Sequence, residues 1–355
     1  VAGHLARHLD AGRHLDAGRH LDAGRHLDAG DAVGRSRGRF SSLRREASDM
    51  RVNCEGCAGC CVDWRPLADA PDDHERVGPE RPLDDVYNLV PLDRDEVRAF
   101  VDAGLGDVLT PRLWERDGGR DDDAGGGSAG DAGGDGRGRS VTVDGFELAA
   151  IDGRPVFFVG LRKIPKPVAP VGTDDPSWLP TCAFLDPETL QCRIHGDDRY
   201  PDECATYPGR NLLLDVETVC ERVEAEFGDP GERLVDDAVP EDAEPLFGPQ
   251  ALGGKVFAHP DPDALADVVE RIGAGEPTDA DRAEFVGTAA GASPGTLHRN
   301  DDAYREYRER ALDADSWAGR AIADWRERAG ETDPDPALGR EVEGDRGAPS
   351  TPGWD

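Results

Sequence analysis

Apolar residues fall in short, well-separated runs along this chain, and their spacing predicts its elements. Val97, Phe100 and Val101 follow one another at helical intervals. Asp93 stands as an N-cap, and Glu96, three residues later, completes a capping box. This helix ends near Gly104. Phe146–Ile151 and Pro155–Val159 are two apolar runs separated by Asp152-Gly153, the strongest short signal for a β-hairpin. Three further helical patterns follow. Asp263–Ile272 carries Leu265, Val268, Val269 and Ile272. Asp279–Ala290 begins after a Thr278 cap. Asp302–Arg328 carries Tyr304, Tyr307, Leu312, Trp317, Ile322 and Trp325, and the pattern predicts two helices broken near Asp313–Asp315.

Other stretches have no face to bury. Residues 7–30 repeat RHLDAG four times, placing His8, His14, His20 and His26 six residues apart. On a helix each step of six turns the side chain by about 240°, so no ligand stripe forms. This leader, 1–49, reads as low-complexity and disordered, or as untranslated, since the only methionine is Met50. Residues 116–140 are almost wholly Gly, Asp, Arg and Ala, and read as a flexible insertion. The tail 331–355, rich in Pro, Gly and Asp, reads as disordered. A domain at 50–225 with a helical extension at 226–330 is therefore expected.

Charge narrows the function classes. The net charge is -33, and only three residues, Lys163, Lys166 and Lys255, are lysine. Such acid-rich, lysine-poor chains resemble the proteins of salt-in halophiles, whose surfaces are hydrated carboxylates. The charge excludes a nucleic-acid partner, which needs a basic footprint, and an anionic membrane surface. No apolar run approaches the roughly 18 residues of a membrane span, and no secretory signal is visible. A cytoplasmic location is expected, where thiols stay reduced.

Reduced thiols matter because the eight cysteines form two groups of four. Cys54, Cys57, Cys60 and Cys61 make a CxxCxxCC run; Cys182, Cys192, Cys204 and Cys220 lie on turn-rich chain farther on. Two thiolates at the ends of a C-x-x-C turn reach one ion at about 2.3 Å. Gly56 and Gly59 permit the tight backbone this needs. The adjacent side chains of Cys60 and Cys61 diverge, so the two are expected to serve different metals or to leave one spare. Eight thiolates suit two four-cysteine sites, and four suit an iron–sulfur cluster equally well. Spacing alone leaves zinc and iron open. His195, three residues after Cys192, is a further candidate ligand. Asp186, Asp197 and Asp198 are ordinary in so acidic a chain. Trp64 and Trp178 are expected to pack over the metal site.

These motifs, with Leu92-Asp-Arg-Asp-Glu96-Val97, Cys182-Ala-Phe-Leu185, Cys192-Arg-Ile-His195 and Arg199-Tyr-Pro201-Asp-Glu-Cys204, resemble the CxxCxxCC cysteine-cluster family. That family is described as a zinc- or iron-chelating domain. The resemblance spans about 52–220, less the insertion. His195 stands where the family has Tyr, Tyr200 separates Arg199 from Pro201, and the gap between cysteine groups is long. The resemblance implies metal binding by the eight cysteines, and a relative that methylates flagellin lysines keeps an enzyme reading open beside a zinc-stapled adaptor. The expected architecture is α+β: a small, irregular cysteine-rich metal-binding domain with a β-hairpin near the metal, then helices, with disordered termini.

Overall fold

The computed structural model describes residues 57–68, 80–116, 139–170, 173–208, 217–228 and 251–352. The leader 1–49, Cys54 and nearly all of the 116–140 insertion lie outside them. The architecture is α+β with antiparallel sheets. Its strands are β1 (Glu80–Pro82), β2 (Leu109–Arg116), β3 (Ser140–Val143), β4 (Phe146–Ile151), β5 (Arg154–Leu161), β6 (Lys163–Val168), β7 (Ser177–Cys182) and β8 (Phe257–Ala258). Its helices are α1 (Arg94–Asp102), α2 (Asp202–Thr206), α3 (Val219–Phe227), α4 (Val268–Gly273), α5 (Asp279–Gly291), α6 (Asp301–Leu312), α7 (Trp317–Arg328) and α8 (Leu338–Asp345).

The Asp152-Gly153 turn forms as its sequence demands. Both residues take positive φ, 52° and 71°, and Ile151 pairs with Arg154. Positive φ at both central positions is the conformation whose twist matches the flanking strands. Strand β2 then organises the larger sheet. Its first half pairs with β5 from Leu109↔Leu161 to Leu113↔Phe157, and its last residues pair with β1 and touch β4 at Glu115↔Leu148. Strands β6 and β7 form a separate two-stranded sheet with Lys163 opposite Cys182. Only Arg162 separates β5 from β6, so the chain passes directly from one sheet to the other.

Helix α1 starts at the Asp93–Glu96 capping box, with Glu96 N donating to Asp93 Oδ1 at 2.8 Å and Asp93 N to Glu96 Oε2 at 2.7 Å. Helix α5 starts at the corresponding Thr278–Asp281 box. Ten of its residues, Asp281–Ala283 and Phe285–Gly291, are buried, and Phe285 meets Phe157 of β5 edge-on at 4.8 Å. Gly287 lets α6 approach: a Cβ there would lie 2.6 Å from Arg308 Cβ and 2.8 Å from the Tyr304 carbonyl.

One hydrophobic core runs from Ala58 through Leu92, Phe100, Leu113 and Phe157 to Trp325 and Val342. The helices beyond residue 250 are therefore not an extension beside a small cysteine-rich domain. They complete the core on which the cysteine-bearing loops rest: Phe285, Ile322, Trp325 and Val342 lie in one cluster with Leu113 and Phe157 of the sheet and with Cys182. The tail also departs from the disorder expected of 331–355. It carries α8, whose Glu343 is fully buried against Lys166 of β6. No helix among the described residues is long and apolar enough to cross a membrane.

Candidate functional site

The CxxCC turn is held by its backbone. Ala58 takes φ 51°, and its carbonyl accepts from the amides of Cys61 at 2.9 Å and Val62 at 3.0 Å. Gly59 sits against α3, where a Cβ would lie 2.8 Å from Val223 Cγ2. The Cys60 carbonyl accepts from Asn88 Nδ2 at 3.0 Å and from Lys163 Nζ at 3.2 Å. The turn then joins the edge of the β6–β7 sheet: Cys182 N donates to Cys61 O at 2.8 Å, and Asp63 N to Pro180 O at 2.8 Å. The two cysteine groups thus meet, through main-chain bonds between residues far apart in sequence.

Where they meet is a cavity of about 260 Å³, with Cys60, Cys61, Cys182, Cys192 and Cys204 in its wall. Strand β7 delivers Cys182, the Leu185–Cys192 bridge delivers Cys192, and α2 delivers Cys204. Apolar side chains including Phe184, Leu185 and Ile194 line it as well. Lys163 and Arg222 face the cavity as cations. Its carboxylates are engaged: Glu217 holds Arg222 at 2.8 Å, and Glu203 holds Lys255 at 2.6 Å.

Cys60 and Cys61 diverge, as adjacent side chains must. Cys61 packs on the main core with Cys182 and Cys192. Cys60 and Cys57 pack on a second cluster built from Trp64, Tyr87, Val219 and Val223. Cys220, buried on α3, belongs to that second side: its charge and that of Cys60 both act on the Tyr207 hydroxyl. Burial pushes the Cys192 thiol up to about 12, with the neighbouring Cys182 adding to it. Burial, then the charges of Cys61, Cys182 and Cys192, raise Cys204 well above the ordinary thiol range. These thiols keep their protons at neutral pH unless a cation replaces them.

The sulfurs of the described cysteines do not converge on a point. Among the described residues, the one trio of ligand-type side chains with atoms mutually within 4.8 Å is Asp93, Glu96 and Asp202. That trio is a knot of caps, in which Glu96 accepts from the amides of Asp93 and Asp202, each at 2.7 Å. His195 is not in the cavity wall; its ring packs edge-on against Tyr200, centroids 5.0 Å apart. Asp186 caps the amides of Glu188 and Thr189 and pairs with Arg193, and Asp197 pairs with Arg199. Trp64 covers the Cys57–Cys60 side, edge-on to Tyr87 and Phe227. Trp178 lies elsewhere, packed on Trp325, with its indole N–H on the Thr332 carbonyl. The hairpin β4–β5 reaches the cavity only through Leu161 at its far end.

The fold and site together define an α+β protein with a thiol-walled cavity between a cysteine-rich turn and the loops after a two-stranded sheet. The chain belongs to the family of unknown function DUF7531, which matches residues 50–355. This overturns the resemblance to the CxxCxxCC cysteine-cluster family: the matching family is a different one, and it takes in the sheet and C-terminal helices as well as the cysteine loops. No curated protein and no solved structure matches the chain.

Proposed function

We propose that this is a metal-binding protein whose centre is held by Cys61, Cys182, Cys192 and Cys204. The observation that carries the reading is the gathering of these four thiols, from both sequence groups, around one cavity, whose wall Cys60 also borders while packing on the second cluster. Cys57, Cys60 and Cys220 are the complementary set, and Cys54, by its C-x-x-C spacing to Cys57, is assigned to it. Each set then takes three cysteines from one sequence group and one from the other.

The spacing favours a cluster over a single ion. A tetrahedral zinc bound at about 2.3 Å draws its sulfurs to within about 4 Å of one another. In a [4Fe–4S] cluster each thiolate caps a different iron, so the sulfurs stand farther apart. No three cysteine sulfurs lie mutually within 4.8 Å among the described residues, which supports the wider arrangement, and Lys163 and Arg222 would offset the negative charge of a thiolate-bound cluster. The test is metal and acid-labile sulfide analysis of the full chain, purified without oxygen at high salt. Iron and sulfide in equal amounts with broad visible absorption are expected. Colourless protein with stoichiometric zinc would replace the cluster with a staple, and protein free of both metals would end the proposal.

A further inference from the structure

A second feature stands out against the net charge of -33. Arg162 and Arg282 are 7% and 6% exposed, and they form the wall between two small cavities, of about 50 and about 270 Å³. Arg326 and Lys163 line the smaller one with them. Its one carboxylate, Asp84, is already held by both arms of Arg112, at 3.0 and 2.8 Å.

Compensation for these cations is thin. Arg162 has no carboxylate partner among the described residues; its Nη1 donates to the Asp107 carbonyl at 2.6 Å. Arg282 pairs through Nη1 with Asp279, whose side chain is 80% exposed, and its buried Nε has no hydrogen-bond partner. The Arg326 side chain makes no hydrogen bond or ion pair among the described residues. The larger cavity adds Asp107, Asp315 and the same Asp279, but Asp107 accepts from Ser316 N and Oγ, Asp315 is paired with Arg320, and Asp279 is already held by Arg282. Burial, and then repulsion from Arg282 and Arg326, pull Arg162 down to about 9. A buried guanidinium with an unmet donor is costly unless something accepts from it.

We propose that Arg162, Arg282, Arg326 and Lys163 form an oxyanion site that holds a phosphate group. Planar guanidinium forks match the edge of a tetrahedral oxyanion. The smaller cavity seats the anion, with the arginine forks in its wall. Lys163 faces both this cavity and the thiol-walled one, so the anion would lie beside the proposed metal centre. The site does not depend on that centre being filled.

Thermal denaturation of the full chain tests this, with potassium chloride exchanged for potassium phosphate at constant ionic strength. A saturable rise in Tm with phosphate is expected. In Arg282→Gln the rise should vanish. In Arg326→Gln, an exposed position that leaves the fold intact, its midpoint should move up by about tenfold, the loss of one charge-assisted hydrogen bond. Ribose 5-phosphate acting at lower concentration than inorganic phosphate marks the phosphoryl group of a small molecule as the ligand; the reverse order marks free phosphate. A phosphate response identical in the wild type and Arg326→Gln is general salting-out and overturns the proposal. Equal saturation by chloride also overturns it.

Discussion

Replacing Glu343 with alanine is expected to destabilise the protein by about 3–5 kcal/mol. Glu343 is fully buried, and its two oxygens serve three partners. Oε1 meets Lys166 Nζ at 2.5 Å and accepts from Trp325 Nε1 at 3.1 Å, while Oε2 accepts from Arg193 Nε at 2.8 Å. Lys166 is itself fully buried. Without the carboxylate it keeps only the carbonyls of Ala183 and Leu185, at 2.9 and 2.7 Å, and its charge is left uncompensated. Arg193 retains Asp186 and is hurt less. Since whole domains are stable by only about 5–15 kcal/mol, the loss is readable in a single guanidinium titration. The double change Lys166→Met with Glu343→Leu removes both ions, and should recover much of the loss. A Glu343→Ala variant within about 1 kcal/mol of the wild type would mean that water replaces the carboxylate there.

This network also backs the proposed metal centre. Arg193 follows Cys192 directly, and Lys166 lies on the strand paired with the one that ends in Cys182. The C-terminal helix is thereby tied to the segments that carry Cys182 and Cys192.

The second large effect concerns how the cysteines divide. Cys61→Ser and Cys204→Ser are each expected to remove the same metal complement, although they lie in different sequence groups. Cys60→Ser, one residue from Cys61, should leave that complement in place, because its side chain, though it borders the cavity, packs on the Trp64 and Tyr87 cluster. Structural metal sites are worth on the order of 10 kcal/mol in small domains, so each loss should also lower the same unfolding midpoint. Closing so long a loop costs little by comparison, since that cost grows only logarithmically with length. Metal content and denaturation of the three variants, side by side, check this. Cys60→Ser and Cys61→Ser losing the same metal would undo the division.

Much of the local structure was legible. The Asp93–Glu96 and Thr278 caps, the Asp152-Gly153 turn and the break before Trp317 are local devices whose chemistry sits within a few residues. What was missed depends on distant partners. Asp144-Gly145 joins β3 to β4 by the same kind of turn, with φ of 52° and 86°, but the Gly- and Asp-rich stretch before it hid the strand. Strands β6 and β7 hold Pro165, Pro167 and Pro180, which argue against a strand. They are tolerated because a two-stranded sheet is all edge, and edges do not need every amide. Helix α8 looked like tail because its one decisive residue is a glutamate, and nothing local reveals that Lys166 and Arg193 await it.

The site was legible in its parts and not in its grouping. All eight cysteines stood out by density. That Cys61 shares a cavity with Cys182, Cys192 and Cys204 follows from the pairing of the turn with β7, which is a long-range contact. The oxyanion arginines carried no signal in a chain with so many arginines. Only burial and the lack of partners distinguish them.

A polynuclear centre ligated by cysteines from both groups is tested most directly by X-ray absorption at the metal edge of the anaerobically purified full chain. The predicted spectrum has an all-sulfur first shell and a second shell of neighbouring metal atoms. A first shell of nitrogen or oxygen, or a lone metal with no metal neighbour, would contradict it.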